Sequence, residues 1–151
     1  MLKKIFISLT LFLFITNCGF TPLYSINDID NANFEILSYE GDKEINLNLI
    51  SKFKSSSNSE EKPYKVDILT NYEKKTLTKN LAGEPEEYQL LLSVEFTVLK
   101  DNSQIKLKLN EKFVMNNFSD DFEERNYETN IKKSMVNLIY NKFLKQIKNL
   151  K

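Results

Sequence analysis

From Tyr88 to Val98 the chain alternates without a break: Tyr88, Leu90, Leu92, Val94, Phe96 and Val98 are separated by single, mostly polar residues. A period of two places one set of side chains on one side of a β-strand. Two weaker runs flank it. Val66, Ile68, Thr70 and Tyr72 alternate with Lys65, Asp67 and Asn71, in a run that extends as far as Leu81. Ile105, Leu107, Leu109, Phe113 and Met115 alternate with Lys106, Lys108, Asn110 and Lys112. Ala82-Gly83-Glu84-Pro85 and Asp101-Asn102-Ser103 supply turn residues between the three runs, so they read as an antiparallel meander with one buried and one wetter face. Upstream, Phe34 to Tyr39 is a short β-rich run ended by Gly41-Asp42.

Two segments change period. Over 43–54, Ile45, Leu49, Ile50 and Phe53 share a helical face, and Asp42 is placed to cap the helix. The last 30 or so residues carry a broad apolar stripe of Ile131, Met135, Val136, Leu138, Ile139, Phe143, Ile147 and Leu150. Ser119 or Asp120 can cap it; Asp121, Glu123 and Glu124 follow in the first turn, and Lys142, Lys145, Lys148 and Lys151 crowd the other end. That distribution suits the helix dipole. The order is β-α-β-β-β-α. It predicts an α+β, two-layer sandwich in which a four-stranded, mainly antiparallel sheet carries both helices on one face. The other sheet face holds Leu69, Leu91 and Leu99 among polar residues, which points to something packing there.

Composition removes whole chemistries. The 151 residues include 21 Lys+Arg and 21 Asp+Glu, one Cys, no His and no Trp. That length suits one domain. Without His there is no imidazole base, no Ser-His-Asp triad and no His-containing zinc site. One Cys makes no intrachain disulfide or thiolate cluster. A balanced charge argues against a nucleic-acid partner. Only Arg125 is Arg, and the abundance of Lys, Asn and Ile reads as drift toward AT-rich codons, so lysine counts alone carry no function. Asp120/Asp121 and Glu123/Glu124 are adjacent pairs, whereas acid–base work on a glycosidic bond needs carboxylates facing each other across about 5–9 Å. They read as helix-start charges. No catalytic residue, metal site or cofactor is expected, and the chain is not expected to be an enzyme.

Residues 1–17 read as an export signal. Lys3 and Lys4 precede an apolar run from Ile5 to Ile15, shorter than the roughly 20 residues a spanning helix needs. Ile15-Thr16-Asn17-Cys18-Gly19 then resembles the lipobox of bacterial lipoproteins. There the thiol receives a diacylglycerol, the signal is cut before it, and the new amino terminus is acylated. A lone thiol at the end of the apolar run fits that chemistry, and several acyl chains anchor durably. Gly19 in place of Asp favours the outer membrane, by resemblance to the enterobacterial sorting rule. The expected organisation is a signal at 1–17, a lipidated tether at 18–32 and a single periplasmic domain at 33–151. Loss of Lys3 and Lys4 from the 21 basic residues leaves 19 against 21 acidic, a formal charge of −2.

Cys18-Gly19-Phe20-Thr21-Pro22-Leu23-Tyr24 resembles the Cys-Gly-Phe-x-Pro-Leu-Tyr start of the LPS-assembly lipoprotein, the LptE family, in its alphaproteobacterial form. The element order agrees with that family's fold, although Ser25 stands where Gly often follows the Tyr. The resemblance implies an outer-membrane lipoprotein that sits in the lumen of the LptD-type β-barrel as plug and assembly partner and binds lipopolysaccharide. Pro22 fixes the backbone near the anchor, and Phe20, Leu23 and Tyr24 offer apolar groups to a partner, to the membrane interface or to the domain's own edge. Candidate contacts to lipid phosphates are Lys74, Lys75 and Lys79 near the first hairpin and Lys106, Lys108 and Lys112 on one strand face. For any one of these, a solvated surface position is the commoner role. A lipid-anchored adaptor or binding module of another envelope lipid transport system is the alternative.

Overall fold

Short-range signals set the boundaries of the elements. In the computed structural model, which describes residues 33–55, 62–101 and 103–149, β1 (Phe34–Glu40) ends at Gly41 and α1 (Lys43–Ser55) starts at once. The Asp42 carboxylate accepts the Ile45 amide at 2.9 Å, satisfying one of the orphan donors of the first turn. Strands β2 (Tyr64–Lys79), β3 (Pro85–Lys100) and β4 (Ser103–Asn116) follow, then α2 (Asp121–Lys148). Asp120 caps α2 through the amides of Phe122 and Glu123, at 2.7 and 2.9 Å. Residues 1–32, with Cys18 and the string after it, lie outside the described residues, as do Leu150 and Lys151.

The sheet order is β1-β2-β3-β4. β2, β3 and β4 form the expected antiparallel meander, while β1 pairs parallel to β2, so the sheet is mixed. The physical reason is the connection: α1 carries the chain back along the sheet, and a crossover of that kind returns the next strand in the same direction. A register shift between Ile36 and Ser38 turns the second half of β1.

Both helices cover one face. Ile45, Leu49 and Phe53 of α1 and Met135, Ile139, Phe143 and Ile147 of α2 bury against Val66, Ile68, Leu90, Leu92, Val94, Phe96 and Val98. The stripe differs in detail from the pattern read in the sequence. Leu138 is 49% exposed; each helical residue turns about 100°, which sets it a quarter-turn from Ile139 and beyond the buried arc. Tyr140 and Leu144 take its place. Ile50 is only half-buried, and Asn46 is buried instead. Phe113 keeps 40% of its surface in solvent, because β4 is an edge strand with a neighbour on one side only.

Asn46 belongs to a polar knot at the β1–α1 turn. Its Nδ2 donates to the Glu40 carbonyl at 3.1 Å, and the buried Thr70 hydroxyl lies 3.2 Å from both that carbonyl and Asn46 Oδ1. Gly41, at φ 99°, brings its backbone against this knot: a Cβ there would stand 1.8 Å from the Thr70 carbonyl oxygen. Gly83, at φ 86° in the β2–β3 turn, faces open space. Gly41→Ala must therefore bear both backbone strain and a collision, and Gly83→Ala strain alone. The expected losses are at least roughly 2 kcal/mol for the first and about 1 kcal/mol for the second, read from urea unfolding midpoints. Equal losses would show that the contact with Thr70 constrains nothing.

Candidate interaction surface

The sheet face away from the helices is uncovered by any described element. Because strand residues alternate and the ladders are in register, it can be read row by row. Lys65 lies beside Leu99 and Gln104; Asp67 beside Thr97 and Lys106; Leu69 beside Glu95 and Lys108. Further along, Asn71, Ser93 and Asn110 share a row, then Glu73, Leu91 and Lys112, then Lys75, Gln89 and Val114. Leu69, Leu91 and Leu99 are thus on this face as the alternation implied, dispersed among polar neighbours rather than joined in one patch. Lys106 reaches Glu95 at 3.8 Å and Lys75 reaches Glu73 at 2.5 Å. The Lys75 ammonium and the Asn71 amide hold the exposed Glu73 carboxyl below its usual range. Lys108 and Lys112 make no ion pair among the described residues.

The β2–β3 hairpin runs past the end of β4, whose last partner pair is Asn116 with Glu87. Asn80 organises its turn: the side-chain oxygen accepts the amides of Ala82 and Glu84 at 3.0 and 2.9 Å. Leu81 at the tip is fully exposed, and Leu77 is half-exposed. Lys79 stands at the end of β2 beside this turn, exposed.

Lys74 is elsewhere. It points to the helix side, where its ammonium meets Glu124 at 2.6 Å and Glu128 at 3.0 Å and lies 4.3 Å from the centre of the Tyr88 ring. Tyr72 donates to Glu128 at 2.8 Å, and Lys132 bridges Glu128 and Glu44 at 3.6 and 3.2 Å. The first third of α2 is thereby tied to β2 and α1 through charge. Burial by itself would lower the Lys74 pKa, but the bonds to Glu124 and Glu128 outweigh it and hold the pKa above the usual lysine value. Burial likewise opposes ionisation of Glu128, and the bonds from Lys74 and Tyr72 still bring it below the carboxylate range. Tyr72 is pushed far up, by burial first and then by its bond to Glu128.

Of the six lysines in the candidate set for lipid phosphates, Lys75, Lys79, Lys106, Lys108 and Lys112 are exposed, and Lys74 is committed inside the domain. Parity carried the signal: Lys74 follows Val66, Ile68, Thr70 and Tyr72 at a spacing of two, on the core side. The sequence reading likewise missed the Glu124–Lys74–Glu128–Lys132 cluster, whose partners come from segments 50 or more residues apart. The paired acids are separated in role: Asp120 caps the helix, Glu124 holds Lys74, and Asp121 and Glu123 stand exposed in the first turn.

Several solved structures share this fold, among them two lipoproteins of named bacteria. Rare lipoprotein B from Shewanella oneidensis aligns over 78% of this chain and 97% of its own, with 16% identity and a TM-score of 0.59. Uncharacterized lipoprotein B from Nitrosomonas europaea aligns over 79% and 85%, with 16% identity and a TM-score of 0.56. No family model and no curated protein matches the chain. At such identities the likeness shows the fold.

The polar cluster fixes the sign of a pH dependence. Glu128 titrates lower in the folded chain, so its contribution is present above the ordinary carboxylate pKa and is lost as pH falls through the depressed value. Lys74 titrates higher, so its contribution is present below the ordinary lysine pKa and is lost as pH rises through the raised value. Lys74→Met leaves Glu124 and Glu128 half-buried without that cation and is expected to cost about 1–3 kcal/mol near neutrality. Its urea midpoint should fall less steeply on acidification than that of the wild type, the remaining slope coming from other carboxylates such as Asp120. Parallel acid limbs would remove the cluster from the account.

Proposed function

We propose that this chain is a non-enzymatic outer-membrane lipoprotein of the lipopolysaccharide transport machinery, serving as plug and assembly partner of an LptD-type β-barrel and contacting lipopolysaccharide. The observation that carries the reading is Cys18-Gly19-Phe20-Thr21-Pro22-Leu23-Tyr24, placed directly after an apolar signal and before a domain whose fold is shared with solved lipoproteins. A plug needs no reacting group. It needs a rigid body and a surface that a polar barrel lumen accepts. The uncovered sheet face, long and flat with single leucines among Lys, Glu, Asn, Ser and Thr, is of that kind. Lys75, Lys79, Lys106 and Lys108 are the exposed cations proposed to meet lipid phosphates.

Affinity purification of the tagged chain from solubilised envelopes tests the partnership, and depletion tests the role. An outer-membrane barrel should co-purify, and depletion should lower both surface lipopolysaccharide and barrel assembly. Recovery of an inner-membrane transporter with no barrel would instead favour an adaptor in another lipid pathway.

Cys18 lies outside every described element, so Cys18→Ala should remove acylation and leave the fold intact. The expected consequence is slower assembly with the barrel, because the tether's local-concentration effect is lost. Membrane fractionation with mass spectrometry of the mature amino terminus measures it. A full-length, unlipidated wild-type protein would show that the amino-terminal segment is no lipoprotein signal.

A further inference from the structure

Acidic and basic residues are segregated along α2. Asp121, Glu123, Glu124 and Glu128 occupy its first eight positions; from Thr129 to Asn149 there is no carboxylate, against Lys132, Lys133, Lys142, Lys145 and Lys148. The helix dipole accounts for charges in the first and last turns only, and Lys132 and Lys133 stand in the middle. Codon drift toward Lys does not explain it either, since drift would not clear acids from one stretch. α1 beside it repeats the pattern, with Lys43, Lys52 and Lys54 against Glu44 alone. Glu44 is taken by Lys132, and Lys142 is taken by Glu111 of β4. Lys54, Lys133 and Lys145 are exposed and make no ion pair among the described residues.

An open cleft between the helices gathers Lys52, Lys133, Asn48, Asn137 and Ser51 over Val136. Its described lining offers ammonium, amide and hydroxyl groups and no carboxylate. The opposite face of the domain is built differently: Glu95 answers Lys106 and Glu73 answers Lys75. The sheet face mixes signs along its length, whereas the last two-thirds of α2 carry one sign.

We propose that the helix layer, through Lys54, Lys133 and Lys145, docks on the surface of an anionic glycerophospholipid bilayer. Lysines spread over two helices act as hydrated point charges, which suits diffuse attraction to a charged surface more than bidentate recognition of one group. Their position relative to the tether agrees. Asn33 joins the sheet at the Tyr64 end, bonded at 2.8 Å, and there the last turns of α1 and α2 come down beside Phe34, whose ring lies 5.3 Å from Phe53 and 5.6 Å from Phe143. Lys54 and Lys145 therefore flank the point where the tether enters. Asp101, near this end, is engaged by Lys62 at 3.8 Å, and Glu35 lies on the other sheet face. Glu60 and Glu61 are outside the described residues. A segment from Cys18 to Asn33 reaches at most about 50 Å, so a lipid anchor would hold these lysines within range of the leaflet. The inference rests on the lipoprotein reading only for which membrane is near. It concerns the domain on its own, outside any barrel.

The test uses the mature chain from residue 18 with Cys18→Ala, so that no acyl chain contributes; every described element lies downstream of it. Co-sedimentation is measured with vesicles of phosphatidylcholine alone and of phosphatidylcholine mixed with phosphatidylglycerol. Binding is expected to the mixed vesicles only, and to disappear near 1 M salt, where the screening length is about 3 Å. Lys133→Gln with Lys145→Gln should weaken partitioning roughly 25-fold, at about fivefold per lysine. Lys106→Gln with Lys108→Gln, on the sheet face, should leave it unchanged. Equal binding to neutral vesicles, equal loss in both double variants, or equally tight binding to a DNA duplex would overturn the proposal. None of these outcomes bears on co-purification with a barrel, so the two readings fail separately.

Discussion

Phe143 holds the domain together. Its ring lies 4.5 Å from Phe96 of β3, 5.2 Å from Phe53 of α1 and 5.6 Å from Phe34 of β1, so one side chain of α2 touches three other elements. Phe53 extends the set to Tyr140 at 5.1 Å in an edge-on arrangement. Such rings bury large apolar areas and prefer tilted or edge-to-face contacts. Their placement at one end fixes both helices over the same sheet face. With the helices there, the opposite face is left to solvent or to a partner, and the first residue of β1 is pinned at that end.

The two ends of the domain are held by different physics. Around Phe143 the contacts are apolar, insensitive to salt and to pH. Toward the hairpin, α2 has no buried apolar residue before Ile131, and Lys74, Glu124, Glu128, Tyr72 and Lys132 do the joining. Half-buried ion pairs contribute less net stability than burial of rings, because desolvation offsets much of their attraction. They do, however, fix geometry: Lys74 meets two carboxylates from successive turns of α2, which sets the angle of the helix over the hairpin. The domain thus has a firm end beside the start of β1 and an end whose register is set by charge.

What could be read from residues alone follows from periodicity. Strand alternation from Tyr88 to Val98, the caps at Asp42 and Asp120 and the element order all emerge from local chemistry, and the structure carries each of them. What local chemistry left open shares a cause. The parallel direction of β1, the burial of Asn46 and the pairing of Lys74 each depend on segments far apart in sequence meeting in space: Asn46 is explained by Thr70, and Lys74 by Glu124 and Glu128. A polar residue at a core-side position signals that a distant partner exists, and it does not say which. Candidate contacts were hardest to read for the same reason. A lysine's role is decided by whether a carboxylate stands within about 4 Å, and that distance is a tertiary fact.

The lysines of β4 show how this decides function. Lys106, Lys108 and Lys112 lie along an edge strand whose outer backbone groups have no partner among the described strands. Charges on an edge discourage pairing with another chain's strand, which is one physical reason for them besides any ligand. On α2 no such reason applies, since a helix has no edge to guard and its dipole reaches only the terminal turns. Equal numbers of Lys+Arg and of Asp+Glu could have produced two mixed faces. Instead the acids of the described helices stand in their first two turns, and Lys54, Lys133 and Lys145 further along make no ion pair among the described residues.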